Sequence, residues 1–296
     1  MIMEAKMASS RQLKTRIRSV KSTKQITKAM QLVAASKMRK AQEAEEVSAP
    51  YTRLANEILT HLASQGVTDD HPLYKKRARI ESRLLIVIAT DKGLAGAYDA
   101  NVLKLYAKQL LSDESEGVAN QTVTVGRRAN RFASKLKDTE VVAAYQDLPD
   151  DPAGGQLRAI VQMAIDKYEA GEVDAVDVVF TEFVSTVRQE ARMQRILPAG
   201  YEVVDVAEHV REAKFEPSKE EVLEAVTYRL IEAQVYHALL TARASEYIMR
   251  MMAMKNATDN ATDLIDDLTL AMNKARQAAI TQELAEISGG VEALND

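Results

Sequence analysis

Of the 296 residues none is cysteine or tryptophan, only 5% are aromatic, and four are histidine. The missing cysteines exclude a disulfide framework, a thiolate nucleophile and a cysteine-based zinc site, and fit a reducing compartment. The few aromatics, set beside abundant Ala and Met, suit helices packed closely along a seam better than a thick globular core. His61, His71, His209 and His237 are scattered, without the H-E-x-x-H spacing that a helix-borne metal site uses. No long hydrophobic run exists. The longest strongly apolar stretch, Leu84 to Ala89, is far shorter than a membrane span. Residues 1 to 6 contain no apolar stretch of secretory type, and Met7 could equally be the start, since the amphipathic pattern begins just after it. Acidic residues are absent in one place: between Arg11 and Lys40 ten Lys or Arg stand without a single Asp or Glu. The overall charge of -4 is too small to name a partner.

What is present is helical at both ends. From about Ser9 to Gln65, positions Leu13, Ile17, Val20, Lys24, Thr27, Gln31, Ala34, Met38 and Ala41 recur in four-three alternation. That is the seam of a coiled coil, with Lys24 and Gln31 as polar exceptions that weaken it or set its register. Pro50 is expected to kink or interrupt the helix. The pattern resumes at Leu54, Ile58 and Leu62 and stops at Gly66 and the Asp69-Asp70-His71-Pro72 turn. A second long helix opens at Ser218, a good N-cap, and is expected to end at Gly289-Gly290. Its last part has the seam Leu264, Leu268, Ala271, Ala275, Ala278, Gln282 and Ala285. Neither stripe can be buried alone, so each helix is the expected partner of the other, in an antiparallel rod. At 1.5 Å per residue the two arms would reach roughly 80 and 100 Å.

Between the arms the period changes. Arg83 to Thr90 is a β-branched run suited to a strand buried on both faces. A Gly-containing turn and a helix to about Leu111 follow. Thr122 to Val125 reads as a second strand with Gly126 and a basic helix behind it, and Val141 to Ala144 as a third. Gln156 to Ala170 is helical and ends at Gly171. Val176 to Phe183 and Arg192 to Leu197 are further strands that could form a hairpin. Alternating strands and helices imply a mostly parallel, Rossmann-like sheet between about residues 80 and 210. The fold class is thus α/β plus long helices. Its expected parts are 7–75, 76–215 and 216–291.

The chemistry on offer is thin. Asp91-Lys92-Gly93-Leu94-Ala95-Gly96-Ala97 follows the first strand, where α/β proteins often hold phosphate, but neither a G-x-G-x-x-G nor a G-x-x-x-x-G-K-[ST] pattern is present. A nucleotide-binding enzyme with a helical dimerisation arm is one reading of this loop; a plain strand-to-helix turn is the other. The basic stretch could face nucleic acid, an anionic membrane surface or an acidic protein. It has no interleaved aromatics, and its small apolar residues enter lipid poorly. The run Tyr247 to Ala261 combines Met with the mediocre helix formers Asn, Thr and Asp, which suggests contacts rather than plain core filling.

Four segments, in this order and separation, give the chain a family resemblance. They are Arg16-Ile17-Arg18-Ser19-Val20 with Gln25 to Met38, Asp91 to Gly96, Met254-Lys255-Asn256-Ala257-Thr258-Asp259-Asn260, and Asn273 to Gln277 with Ile280 to Gly290. Over nearly its full length the chain resembles the gamma subunit of F-type ATP synthases, the central stalk of the soluble part. The resemblance implies an antiparallel two-helix coiled coil, formed by the N- and C-terminal helices, around a central Rossmann-like domain. It implies a rotor that couples ion flow through the membrane to the catalytic sites of an alpha3/beta3 ring and regulates its ATPase activity, with no catalytic site and no cofactor or metal of its own. Other implied partners are an epsilon-type subunit and the membrane c-type ring, not nucleic acid. The membrane is reached only through the complex, peripherally and on the cytoplasmic side for a bacterial source. By alignment of the motifs, Met30, Arg250, Arg276, Gln277 and Thr281 would be contacts to a beta subunit. Two departures stand out: Ala95 replaces the Cys of many members, and the regulatory Cys pair of chloroplast members has no counterpart.

Overall fold

The computed structural model describes residues 10–68, 71–75, 77–137, 139–149 and 154–292. Residues 1–9 and Asp69-Asp70, on which parts of the sequence reading fell, lie outside the described residues. The described residues fall into two compact units. One joins the residues up to Val33 with those from Met251 onward; the other is Ala34–Arg250.

The larger unit is built on a five-stranded sheet. The helices and strands of the chain are α1 (Ser10–Ser64), a short 3-10 helix (Pro72–Tyr74), β1 (Ser82–Ile88), α2 (Tyr98–Glu116), β2 (Ala119–Val125), α3 (Arg127–Ala133), β3 (Glu140–Tyr145), α4 (Gly155–Glu169), β4 (Ala175–Phe183), β5 (Gln189–Leu197), α5 (Glu208–Arg211) and α6 (Lys219–Glu292). The strand order is β3-β2-β1-β4-β5. All neighbours are parallel except β4 and β5, the expected hairpin. Period-two alternation divides β1 between two cores. Leu84, Ile86 and Ile88 pack with α4 and with Ile231 to Ala242 of α6, whereas Leu85, Val87 and Ala89 pack with Val102 and Tyr106 of α2 and Ala129 and Ala133 of α3. Every side chain from Leu84 to Ile88 is buried, which is why the run is apolar on both faces. Gly126, φ 93°, is required by close approach: a Cβ there would stand 2.1 Å from the Ala89 carbonyl oxygen.

In the same unit α1 and α6 pack antiparallel. Lys37 lies over the Tyr247 ring at 5.6 Å, while Ala55, Leu59 and Leu62 share a cluster with Leu223 and Leu230, so α6 runs backward as α1 advances. Pro50 does not interrupt α1. It removes one donor, and the register carries through: the heptad set by Leu13, Thr27, Ala34 and Ala41 continues to Ala55, Leu59 and Leu62, all buried. Of the expected seam positions beyond Pro50, Leu62 is buried and Ile58 half-buried against this cluster, but Leu54 is wrong by one residue and exposed. Gly66, φ 76°, then ends the helix, with the Val67 N–H donating to the Leu62 carbonyl. Ser218 caps α6 as expected, its Oγ accepting the Glu221 N–H at 3.2 Å.

The smaller unit pairs the first part of α1 with the last part of α6. Along the seam this part of α6 buries or half-buries Met254, Thr258, Ala261, Ile265, Leu268, Met272 and Ala275, with Met251, Ala253, Ala257, Thr262 and Thr269 half-buried beside them. Leu268 and Ala275 agree with the sequence reading. Leu264 and Ala271 do not; both are exposed, because the four-three alternation started by Met254 and Thr258 selects Ile265 and Met272 instead. Ala278, Gln282 and Ala285 are exposed as well. Nor does α6 stop at Gly289-Gly290: it extends to Glu292.

At the centre of this seam the Thr27 and Thr258 hydroxyls meet at 2.8 Å, and Thr258 also reaches the Met254 carbonyl at 2.8 Å. Thr27 Oγ also lies 3.0 Å from the Lys24 carbonyl, so two protons serve three contacts: one hydroxyl donates to its own helix and the other across the seam. Replacing Thr258 by Val is expected to cost about 1 kcal/mol, and adding Thr27→Val to cost little more, because the bond across the seam is already lost and Thr27 keeps only the bond to the Lys24 carbonyl. Thermal unfolding of the three variants measures this; additive losses would refute the pairing.

Candidate partner-contact site

The Asp91 to Gly96 loop leaves β1 at the carboxyl edge of the parallel sheet, the usual ligand crevice of such folds. Here the chain's own groups occupy that crevice. The Thr90 N–H and Oγ–H donate to Asp99 in the first turn of α2, at 3.0 and 2.9 Å. Asp91 Oδ1 accepts the Arg127 N–H at 3.0 Å, so the first free amide of α3 is taken by a carboxylate. A helix N-terminus that could hold phosphate thus holds Asp91 instead.

Helix α6 closes the crevice from above. Glu246 uses both oxygens: Oε1 accepts from Arg250 Nη1 at 2.7 Å and Oε2 from Arg243 Nη1 at 3.2 Å. Arg250 Nη2 donates to the Lys92 carbonyl at 2.7 Å, and Arg243 Nη2 to the Leu148 carbonyl at 3.1 Å with Asp91 Oδ2 3.9 Å away. Leu94 projects from this loop, 63% exposed and with φ 66°, a left-handed backbone that is costly for a leucine. Burial works against the Arg243 charge, yet Glu246 and the neighbouring tyrosines outweigh it and its pKa is raised. Burial, reinforced by the Glu246 carboxylate, pushes the Tyr98 hydroxyl far above its ordinary range. Tyr98 is therefore neutral at pH 7 beside the Arg243–Glu246–Arg250 bridge. The bridge can clamp α6 to these loops.

The five expected contact residues are placed differently. Arg250 is 9% exposed and engaged inside the chain. Met30 is half-buried on α1, and Arg276, Gln277 and Thr281 are exposed on α6, with Thr281 Oγ donating to the Gln277 carbonyl at 3.0 Å. From Thr258, which faces Thr27, to Arg276 is five turns of helix, roughly 27 Å; these are two levels along the paired helices. Near the Met30 level, Lys21, Lys24 and Lys28 line a groove of about 620 Å³ with Thr262, Ile265 and Asp266. Sequence reasoning missed Arg243 and Glu246. Their signal was the Arg243, Glu246, Arg250 spacing, which puts three charges on one face of an otherwise apolar stretch.

The histidines do not converge. His61 Nε2 is 2.8 Å from Gln65 Nε2, and His71 Nδ1 accepts the Leu73 N–H at 3.3 Å, with burial lowering the His71 pKa. The side chain of His209 lies outside the described residues. Among the described residues no group of three His, Asp or Glu could hold a metal ion, and no helix is long and apolar enough to cross a membrane.

Residues 9–294 match the family described as ATP synthase. The ATP synthase gamma chain of Stenotrophomonas maltophilia is 38% identical over 288 residues, 97% of this chain and 100% of that one. The gamma chain of Xanthomonas campestris pv. campestris matches with the same identity and coverage. Among solved structures, the mitochondrial ATP synthase of Euglena gracilis in rotational state 3 superposes with a TM-score of 0.66 at 20% identity, covering 96% of this chain and 94% of that one. The central stalk and c-ring structure of the Tetrahymena thermophila enzyme gives 0.59 at 22% identity, covering 78% and 99%. The two structures share the fold: long terminal helices around a mixed sheet. A full-length match in sequence, with a sheet whose ligand crevice is filled by its own helix, leads to one conclusion: the chain belongs to the ATP synthase gamma chain family.

Proposed function

We propose that this chain is the central rotor subunit of an ATP synthase, turning within an alpha3/beta3 ring and held at its other end by an epsilon-type subunit and the membrane c-type ring. The observation that carries the non-catalytic part is the filled crevice. Asp91 takes the first amide of α3, Asp99 the Thr90 amide, and Arg250 the Lys92 carbonyl. These internal bonds favour a structural turn over the rival nucleotide-binding reading of the loop.

The rotor does its work without chemistry. One asymmetric body inside a ring of three equivalent sites contacts each differently, and so favours a different conformation at each. Exposed lysines suit acidic loops, since complementary charge fixes register, although each exposed pair contributes only about 0–1 kcal/mol. Such contacts break and re-form easily. Met30, Arg276, Gln277 and Thr281 are the residues we assign to the beta-subunit contacts; the exposure of the last three on α6 supports this, and Met30 is half-buried on α1. Arg250 contributes from within, through the loop it holds. Functionally we divide the chain into 7–75 and 216–291 as the helical shaft and 76–215 as the collar. The complex is membrane-associated; we place this subunit on its cytoplasmic face in a bacterial source.

Co-expression of the full chain with alpha and beta subunits tests the assignment. A stable complex that hydrolyses ATP is expected, whereas the chain alone neither hydrolyses ATP nor releases heat on titration with it. Saturable nucleotide binding by the isolated chain, or failure to enter the complex, would overturn it.

A further inference from the structure

We infer that Glu246 is a positioning residue for energy coupling: it bridges Arg243 and Arg250 so that α6 and the loops at the carboxyl edge of the sheet move as one body. The inference rests on the rotor reading above, and adds a residue that touches no partner.

The geometry is specific. Three strands of the sheet end in segments that reach α6 through this bridge. The β1 loop is held at the Lys92 carbonyl by Arg250, the segment after β3 at the Leu148 carbonyl by Arg243, and α3, which follows β2, through Asp91. Glu246 contacts both arginines of this network, one oxygen to each, and its side chain is 6% exposed. An i, i+3 and i, i+4 bridge on a single helix would add little if exposed. Buried, it fixes the rotamers of two long side chains, whose freedom would otherwise have to be lost when they grip the carbonyls. A carbonyl offers no charge with which to hold an arginine in place, so the grip on Lys92 and Leu148 depends on Glu246 to aim it.

A rotor subunit must resist relative motion between α6 and its α/β part, because any give there absorbs torque before it reaches a catalytic site. Hydrophobic contacts between Ile231 to Ala242 and the sheet lie further back along α6. The Arg243–Glu246–Arg250 bridge is the directional, polar attachment in front of them.

The test uses the full chain assembled with the other subunits of its synthase in membrane vesicles. Glu246→Gln keeps the volume but presents an amide N–H₂ to one arginine. It is expected to assemble and hydrolyse ATP at the normal rate while protons pumped per ATP fall by about three- to tenfold. Glu246→Asp keeps the charge but cannot reach both arginines, and should be intermediate. A purely structural role would lower the unfolding temperature and leave the pumping ratio of the assembled complex unchanged. Full coupling in both variants overturns the inference, and so does failure of both to assemble, since Glu246 would then be a folding residue. If the unaltered chain fails to couple, the rotor assignment itself falls, and that outcome is distinct from either.

Discussion

Asp177→Ala is expected to destabilise the chain by about 3–5 kcal/mol, as read by chemical denaturation of the isolated protein. Asp177 lies in β4 on the face toward α2 and shares a buried cluster with Arg83, Asp113 and Arg195. Arg83 contacts Asp177 through Nη1 and lies 3.0 Å from Asp113 through Nε; Arg195 Nε is 2.5 Å from the other Asp177 oxygen. The Arg83–Asp113 contact is out of line for a hydrogen bond, so it is chiefly Coulombic. Side-chain exposures of 8% for Arg83, 1% for Asp113 and 2% for Asp177 leave little water to compensate a missing charge, while Arg195 at 37% retains some. Two guanidinium groups face two carboxylates, and removing Asp177 leaves an excess cation in the core. The opposite experiment fixes the cause. Arg83→Met with Asp113→Leu and Asp177→Leu removes the buried charges together, and should cost far less than the single change. A loss below about 1 kcal/mol for Asp177→Ala would show that water or Asp113 already neutralises Arg83.

Such a cluster was not legible in the sequence, and the reason is general. Elements defined by local periodicity could be read directly: the β-branched run at Arg83 to Thr90 became β1, Thr122 to Val125 fell in β2, and Ser218 opened α6. The Leu13 to Ala41 seam was correct because a heptad is a local rule. Errors came where two local rules competed. Pro50 suggested a reset of the α1 pattern, favouring Leu54, but one lost hydrogen bond is a smaller effect than the burial of Ala55, Leu59 and Leu62 against α6. In α6 Leu264 was chosen over Ile265, although Thr258 and Ala261 already determine which side faces α1. Gly289-Gly290 reads as a stop, yet glycine costs only about 1 kcal/mol in a helix. Arg243, Glu246, Arg83 and Asp177 were lost because charges read as solvated unless their partners are known, and Arg243 and Arg83 have partners 95 and 94 residues away in sequence.

That distinction decides which residues can test the rotor contacts. Charge reversal at Arg250 would break the bridge to Glu246 and the Lys92 carbonyl, and so report on folding as much as on coupling. Met30 and Arg276 are free of that ambiguity: one is half-buried, the other exposed. Each Asp placed there costs about 0.5 kcal/mol in helix propensity, too little to unfold the chain. Against acidic loops of a beta subunit, however, two new carboxylates exchange attraction for repulsion. A combined penalty of the order of 3 kcal/mol corresponds to roughly a hundredfold loss of coupled flux. Met30→Asp with Arg276→Asp is therefore expected to leave the melting curve of the isolated chain within a few degrees of the original and to abolish most ATP-driven proton pumping by the assembled complex. Met30→Leu with Arg276→Lys should pump nearly normally, since neither reverses a charge. Raising the salt concentration should restore part of the lost coupling in the Asp pair, because screening at about 10 Å and beyond weakens repulsion between exposed groups. Undiminished pumping by the Asp pair would mean that neither residue meets an acidic surface, and the contacts would have to be sought elsewhere on α1 and α6.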